Sequence, residues 1–168
     1  MNTESEQVLI VDADNRPQGS ASRNRLRREG LIYRATYILV CNHGGEILVQ
    51  RRSRSKDMYP GYYDAVAGGV VQIGESYEES ATREVEEELG LAKVPLERQF
   101  DFYFEEIDNR VWGRFFLCRH EGPFRLQTEE IDAAFFCSVE RLLGGDLEPL
   151  TPDSLYALRC YHSFTTYL

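Results

Sequence analysis

The 168-residue chain carries 28 acidic residues against 19 Lys and Arg, a formal charge of −9, with 42% hydrophobic and 12% aromatic residues. That length suits one domain spanning residues 1–168 with a real core, and the apolar content excludes a disordered chain. The acidic balance argues against binding a nucleic acid polymer or an anionic membrane, so a small anionic ligand has to be held by local basic groups or by metal.

In chain order, residues 7–19 (QVLIVDADNRPQG) read as a short strand ending in a polar turn, and residues 22–30 (SRNRLRREG) as a basic helix or extension closed by Gly30. Residues 1–31 thus form an N-terminal strand and helix extension. Residues 35–52 predict two apolar strands around a His-Gly-Gly hairpin turn, and residues 56–71 pass through a Pro-Gly turn into a further strand. A glutamate-rich helix follows. Two strands fit residues 99–120, joined across Asp108 and Asn109; residues 133–138 read as a strand, 138–145 as a short helix, and 151–164 as a terminal helix opened by Thr151 or Asp153. This ordering predicts an α/β fold, one mixed sheet with helices on both faces.

Cys41, Cys118, Cys137 and Cys160 stand far apart with no CxxC pair, which indicates neither zinc nor a disulfide framework. The first seven residues, MNTESEQ, show no basic or apolar leader, so the expected location is cytoplasmic. For a small enzyme, a C₂ homodimer is the commonest assembly.

The densest chemistry lies in residues 69–91, GVVQIGESYEESATREVEEELGL. On a helix, Glu84, Glu87 and Glu88 stand at i, i+3 and i+4 and share one side, while Ala81, Val85 and Leu89 form the neighbouring apolar stripe. Like charges at that spacing destabilise a helix unless a cation neutralises them, and Mg²⁺, with its preference for hard oxygen ligands, is the natural candidate; Mn²⁺ can substitute. Arg83 lies beside Glu84, and the preceding loop brings Glu75 within reach of it, a pair suited to orienting the ligands. A solvated glutamate-rich helix would account for EVEEEL alone, but not for the Gly68–Gly69 pair entering a tight loop just before it.

Gly69, Glu75, Arg83, Glu84, Val85, Glu87, Glu88, Gly90 and Leu91 match without departure the box that defines the Nudix hydrolase superfamily, which this chain therefore resembles. Seven fixed positions match by chance on the order of 10⁻⁸ per starting point, and about tenfold more often in so acidic a chain. The resemblance implies the Nudix α/β/α sandwich, with divalent metal on Glu84, Glu87 and Glu88 and the Gly68 carbonyl as a further ligand. It also implies an acid from outside the box: Glu130 is the first choice, with Glu129, Glu105 and Glu106 as rivals. Either Glu88, by preference, or Glu130 would accept the proton of the attacking water. The implied activity is Mg²⁺-dependent hydrolysis of a phosphoanhydride in a nucleoside diphosphate linked to another group, or in a similar organic diphosphate. A Nudix-fold sensor that binds a nucleotide without turnover is the alternative. Trp112, Tyr62, Tyr63 and Tyr103 could stack on a base, although aromatics at strand spacing more often build a core.

Residues 32–69, with residues 11–23, also resemble isopentenyl diphosphate isomerase, a Nudix-fold enzyme. There the positions matching Arg52 and Lys56 contact the diphosphate, which makes these two residues candidates for that contact. The catalytic positions differ. The isomerase's cysteine falls at Gly68, its loop histidine at Val70, its other histidine at Tyr33, and its acidic pair near Asp108 and Arg110. Glycine offers no proton and a guanidinium accepts none at neutral pH. Incubation with isopentenyl diphosphate and Mg²⁺ in deuterated water should therefore give neither dimethylallyl product nor deuterium exchange by NMR. Either one above a no-enzyme control would refute this alignment.

Overall fold

Alternation along IYRATYILVC sets the layers. Strand β3 (Ile32–Cys41) sends Tyr33, Ala35, Tyr37, Leu39 and Cys41 into one core and Ile32, Ile38 and Val40 into another. A strand buried on both faces needs cover on both. The computed structural model describes residues 6–166, so residues 1–5, on which the expectation about a leader falls, lie outside the described part. Its remaining elements are β1 (Gln7–Val11), β2 (Pro17–Ser22), α1 (Arg23–Glu29), β4 (Ile47–Arg52), β5 (Tyr63–Asp64) and α2 (Tyr77–Leu89). They continue with β6 (Glu97–Glu106), β7 (Asn109–Arg119), β8 (Ile131–Cys137), α3 (Val139–Leu143) and α4 (Pro152–Thr166).

The eight strands of the described residues belong to one mixed sheet. β3 and β7 run parallel from Tyr33↔Val111 to Cys41↔Arg119, and the other strand pairs are antiparallel. Tyr77, Ala81, Val85 and Leu89 of α2 pack on one face. Leu26 of α1, Leu142 of α3, and Ala157 and Leu158 of α4 pack on the other. The result is the expected α/β/α sandwich. Among the described residues no helix is long and apolar enough to cross a membrane.

Two sequence expectations change in detail. Residues 17–19, expected in a turn, open strand β2, which pairs with β1 from Gln7↔Ser22 to Val11↔Pro17. Asp12 tightens the turn by accepting hydrogen bonds from Asp14 N and Arg16 N, both at 2.9 Å, so the chain reverses at once. β2 lies largely exposed, and only Ala21 of its residues is buried, so it lacks the apolar alternation that would have marked it.

The strand expected to deliver the box is reduced to β5 followed by an extended run. That run bridges β3 at Ala67↔Ile38 and Val70↔Ala35 and β1 at Gln72↔Val8. Gly68, at φ +141°, interrupts regular pairing. β3 and β4 pair only at Cys41↔Ile47, so the run lies against β3 where β4 has moved away.

Local chemistry bounds α2 at both ends. Ser76 and Glu79 form a reciprocal capping box, and Gly90 closes the helix in the left-handed conformation at φ +71°. Because Leu89 is fully buried against the sheet, Leu89→Ala should lower the unfolding free energy by about 2–5 kcal/mol in urea denaturation. A loss under about 1 kcal/mol would mean that α2 is not anchored by this stripe.

Candidate active site

The 3.6-residue period that buries Ala81, Val85 and Leu89 turns Glu84 and Glu88 toward the extended run beside β3. Both carboxylates are buried, at 8% and 9% exposure. Glycines keep the run close to its neighbours on both sides. A Cβ on Gly69 would lie 2.5 Å from Glu84 Oε1, and a Cβ on Gly68 would lie 2.0 Å from the Thr36 carbonyl oxygen. Gly68 N donates to Glu88 Oε2 at 3.2 Å. Ala67 and Gly69 give their carbonyls to Ile38 N and Thr36 N, whereas among the described residues no hydrogen bond reaches the Gly68 carbonyl.

Arg83 organises the acidic side. Its Nε and Nη2 meet the two oxygens of Glu75 at 2.7 and 3.0 Å, a bidentate pair. Its Nη1 donates to Glu84 Oε1 at 2.7 Å and to Glu87 Oε2 at 3.3 Å, and Nη2 also reaches the Val70 carbonyl at 3.3 Å. Glu75 is itself fixed by Gln72 N at 3.0 Å. The three helical glutamates of the box therefore occupy different environments: Glu84 and Glu88 are buried, while the Glu87 side chain is 47% exposed at the rim.

Burial raises the Glu84 carboxyl above the ordinary range, against the pull of Arg83. Burial and the neighbouring Glu84 charge push Glu88 up to about 8, although Lys56 and the Gly68 amide favour its ionised form. Among the described residues no three acidic, His or Cys side chains already converge on one point, and Glu84 and Glu87 are both bonded to Arg83. The donor set nonetheless fits a hard divalent cation. Two buried carboxylates that oppose each other's ionisation, one rim carboxylate and one unused carbonyl are all oxygen donors that positive charge would stabilise.

The outside candidates are brought together in part. Lys56 Nζ forms an ion pair with Glu130, and the charges of Glu88 and Glu84 act on the same ammonium. Glu129 contributes only its carbonyl, to Ser55 Oγ at 3.3 Å. Glu105 is held elsewhere, by Arg110 at 3.1 Å and Tyr103 at 2.8 Å. Arg52 donates to the Met58 carbonyl at 2.9 and 3.2 Å and pairs with Asp64 at 3.4 Å, so much of its donor capacity is already used. Asp64 was not singled out from sequence, although a lone Asp within the apolar YYDAVA run was a sign of a buried, paired carboxylate. Burial raises its pKa, Arg52 opposes that shift, and its charge contributes to the raised pKa of Glu88.

The aromatic candidates are half-buried and meet other aromatic rings, with Tyr63, Tyr103 and Trp112 packed at the edge of the core. Tyr103 and Trp112 lie 5.4 Å apart, Tyr63 meets Phe135 at 6.1 Å, and Tyr62 meets Tyr59 at 5.4 Å. Tyr33 faces the core opposite α2 and donates to Asn109 Oδ1 at 2.9 Å. Cys41, Cys118 and Cys137 are buried free thiols, and Cys160 is half-buried.

Comparison with known proteins shows the family and the fold. The NUDIX domain family matches residues 32–159. An uncharacterized Nudix hydrolase of Yersinia pestis is 52% identical over 153 residues, covering 91% of this chain and 84% of its own. An uncharacterized Nudix hydrolase of Pseudomonas aeruginosa is 48% identical over 160 residues, covering 95% of each. Among solved structures, a Deinococcus radiodurans protein aligns with a TM-score of 0.81 at 25% identity, covering 92% of this chain and 98% of its own. The NUDIX domain of Shewanella oneidensis NrtR, solved with ADP ribose, shares the fold at a TM-score of 0.63 and 14% identity, covering 79% of this chain and 87% of its own. With the box intact across the glycine run and α2 and the family match running from β3 into α4, this chain belongs to the Nudix hydrolase family.

Proposed function

We propose that the protein is a Mg²⁺-dependent pyrophosphohydrolase that cleaves the phosphoanhydride of a nucleoside diphosphate linked to another group, or of a similar organic diphosphate. The observation that carries this reading is the pair of buried carboxylates, Glu84 and Glu88, pressed against the Gly68–Gly69 run. Glu84, Glu87, Glu88 and the Gly68 carbonyl would hold the cation, with Mn²⁺ as a substitute. When bound, the ion supplies charge for the phosphoryl oxygens and acidifies the attacking water.

The chain's own residues divide the remaining work. Glu75 locks the Arg83 guanidinium, and Arg83 in turn orients Glu84 and Glu87. Lys56 offers its ammonium to the diphosphate, and Arg52 is the second basic group at the same strand end. Glu88, by preference, or Glu130 accepts the proton of the water. Gly69 keeps the approach open for Glu84. The reading extends to one domain over residues 1–168, a small-molecule diphosphate as partner, a cytoplasmic location and a homodimer. ADP ribose, the ligand of the NrtR NUDIX domain, is a nucleoside diphosphate joined to a sugar and therefore belongs in the test panel.

Phosphate or nucleotide release should be measured across dinucleotides, nucleotide sugars and ADP ribose. Turnover should require Mg²⁺ or Mn²⁺ and vanish in EDTA; undiminished turnover in EDTA would sink the assignment. Saturable binding with no release from any compound would favour the sensor. Glu88→Gln keeps the shape and removes the charge, and should lower kcat at least about 10²-fold on the best substrate.

The two basic candidates should behave differently. Lys56→Ala should mainly raise KM, as loss of a charge-assisted contact worth about 1.5–3 kcal/mol would. Arg52→Ala leaves Asp64 without its cation and should cost about 3–5 kcal/mol of stability by urea denaturation, beyond any change in KM. A normally stable Arg52→Ala protein would show that the Asp64 pair is not structural.

A further inference from the structure

Lys56 and Glu130 reach the site on two loops that are joined along their backbones. Ser53 N donates to the Glu130 carbonyl at 2.9 Å, and Lys56 N donates to the Ser53 carbonyl at 3.2 Å. Ser55 Oγ adds a bond to the Glu129 carbonyl at 3.3 Å. The second loop is also fastened to the C-terminal end of α2, where Gln127 N meets the Glu88 carbonyl at 3.0 Å and Arg125 N meets the Leu89 carbonyl at 2.9 Å. The backbone around Lys56 is therefore tied to the helix that carries the box.

The Lys56 side chain is largely buried, at 22% exposure, and its ammonium is paired with Glu130; burial and the neighbouring Arg52 charge disfavour that ammonium, while the charges of Glu88 and Glu84 favour it. A desolvated ammonium is costly unless carboxylates surround it, and these buried carboxylates are costly unless a cation is near. The charges of Lys56 and Glu88 each favour the other's ionised form. A divalent cation among the same carboxylates would remove the reason for Lys56 to stay, because the two positive charges repel at short range in a poorly solvated site.

We infer that Lys56 is the site's internal counter-ion. Its ammonium neutralises the carboxylate cluster in the metal-free protein, competes with the divalent cation for it, and is released from Glu130 toward the substrate diphosphate when the cation binds. The release also frees the Glu130 carboxylate while the loop backbones stay joined. This inference rests on the metal-dependent reading above and adds the exchange to it.

The test measures metal binding without turnover. Mn²⁺ affinity should be determined by electron paramagnetic resonance, in the absence of substrate, for the wild type and for Lys56→Met and Lys56→Arg. Lys56→Met should bind Mn²⁺ about tenfold more tightly than the wild type, and Lys56→Arg, which keeps the charge, should stay within about twofold. Wild-type binding with no gain in Lys56→Met, or an equal gain in Lys56→Arg, would overturn the counter-ion role while leaving the metal site intact. Failure of the wild type to bind Mn²⁺ would overturn the metal reading itself, and this inference with it. If Lys56→Met does not fold, ¹⁵N NMR of the lysine ammonium groups in the wild type decides: the Lys56 signal should shift on Mg²⁺ saturation, and an unmoved signal refutes the exchange.

Discussion

The acidic face of α2 and the glycine run beside β3 both depend on the Arg83 guanidinium. It binds Glu75 from the loop before the helix, Glu84 and Glu87 from the helix, and the Val70 carbonyl from the extended run. Three carboxylates and one backbone oxygen thus share one planar cation, whose fixed fork geometry sets their relative positions. Without it, Glu84 would be a buried carboxylate with no partner. The fold tolerates this expensive arrangement because the remainder of α2 is anchored by a fully buried stripe and capped at both ends.

Close packing and electrostatics act together at Gly68 and Gly69. A Cβ at Gly68 would collide with the Thr36 backbone and one at Gly69 with the Glu84 carboxylate, so the two glycines let the run lie against β3 and let Glu84 of the helix come up to it. That approach desolvates Glu84 and Glu88 and raises both pKa values. The same contact therefore shapes the site and makes its carboxylates demand positive charge. Arg83 bonds Glu84 directly, and the Lys56 charge, paired with Glu130, also favours the ionised form of Glu88.

The N-terminal segment is part of this architecture. β1 and β2 extend the central sheet, and β1 also receives the end of the extended run through Leu9 N and the Val71 carbonyl at 3.0 Å. From α1, Arg27 pairs with Asp57 at 3.4 Å, next to Lys56. The loop that carries the basic group is thus braced from the N-terminal segment as well as from the loop before β8.

Features that depend on neighbours three or four residues apart were legible in the chain. The apolar stripe of α2, the Gly90 stop, the Arg83–Glu75 pair and the acidic side of the helix all follow from helical period and loop length. The Ser76–Glu79 capping box was equally local and could have been read from its Ser-x-x-Glu spacing. Strand β2 escaped because an exposed strand carries little apolar alternation. Tertiary structure alone decided that Glu87 sits at the rim while Glu84 and Glu88 are buried, that Arg52 is engaged with Asp64, and that Lys56 meets Glu130. These depend on how far the sheet opens between β3 and β4 and on which loops meet across that opening. Such long-range packing leaves no periodic trace in the chain, whereas the chemistry of one helix turn repeats where its residues can be counted.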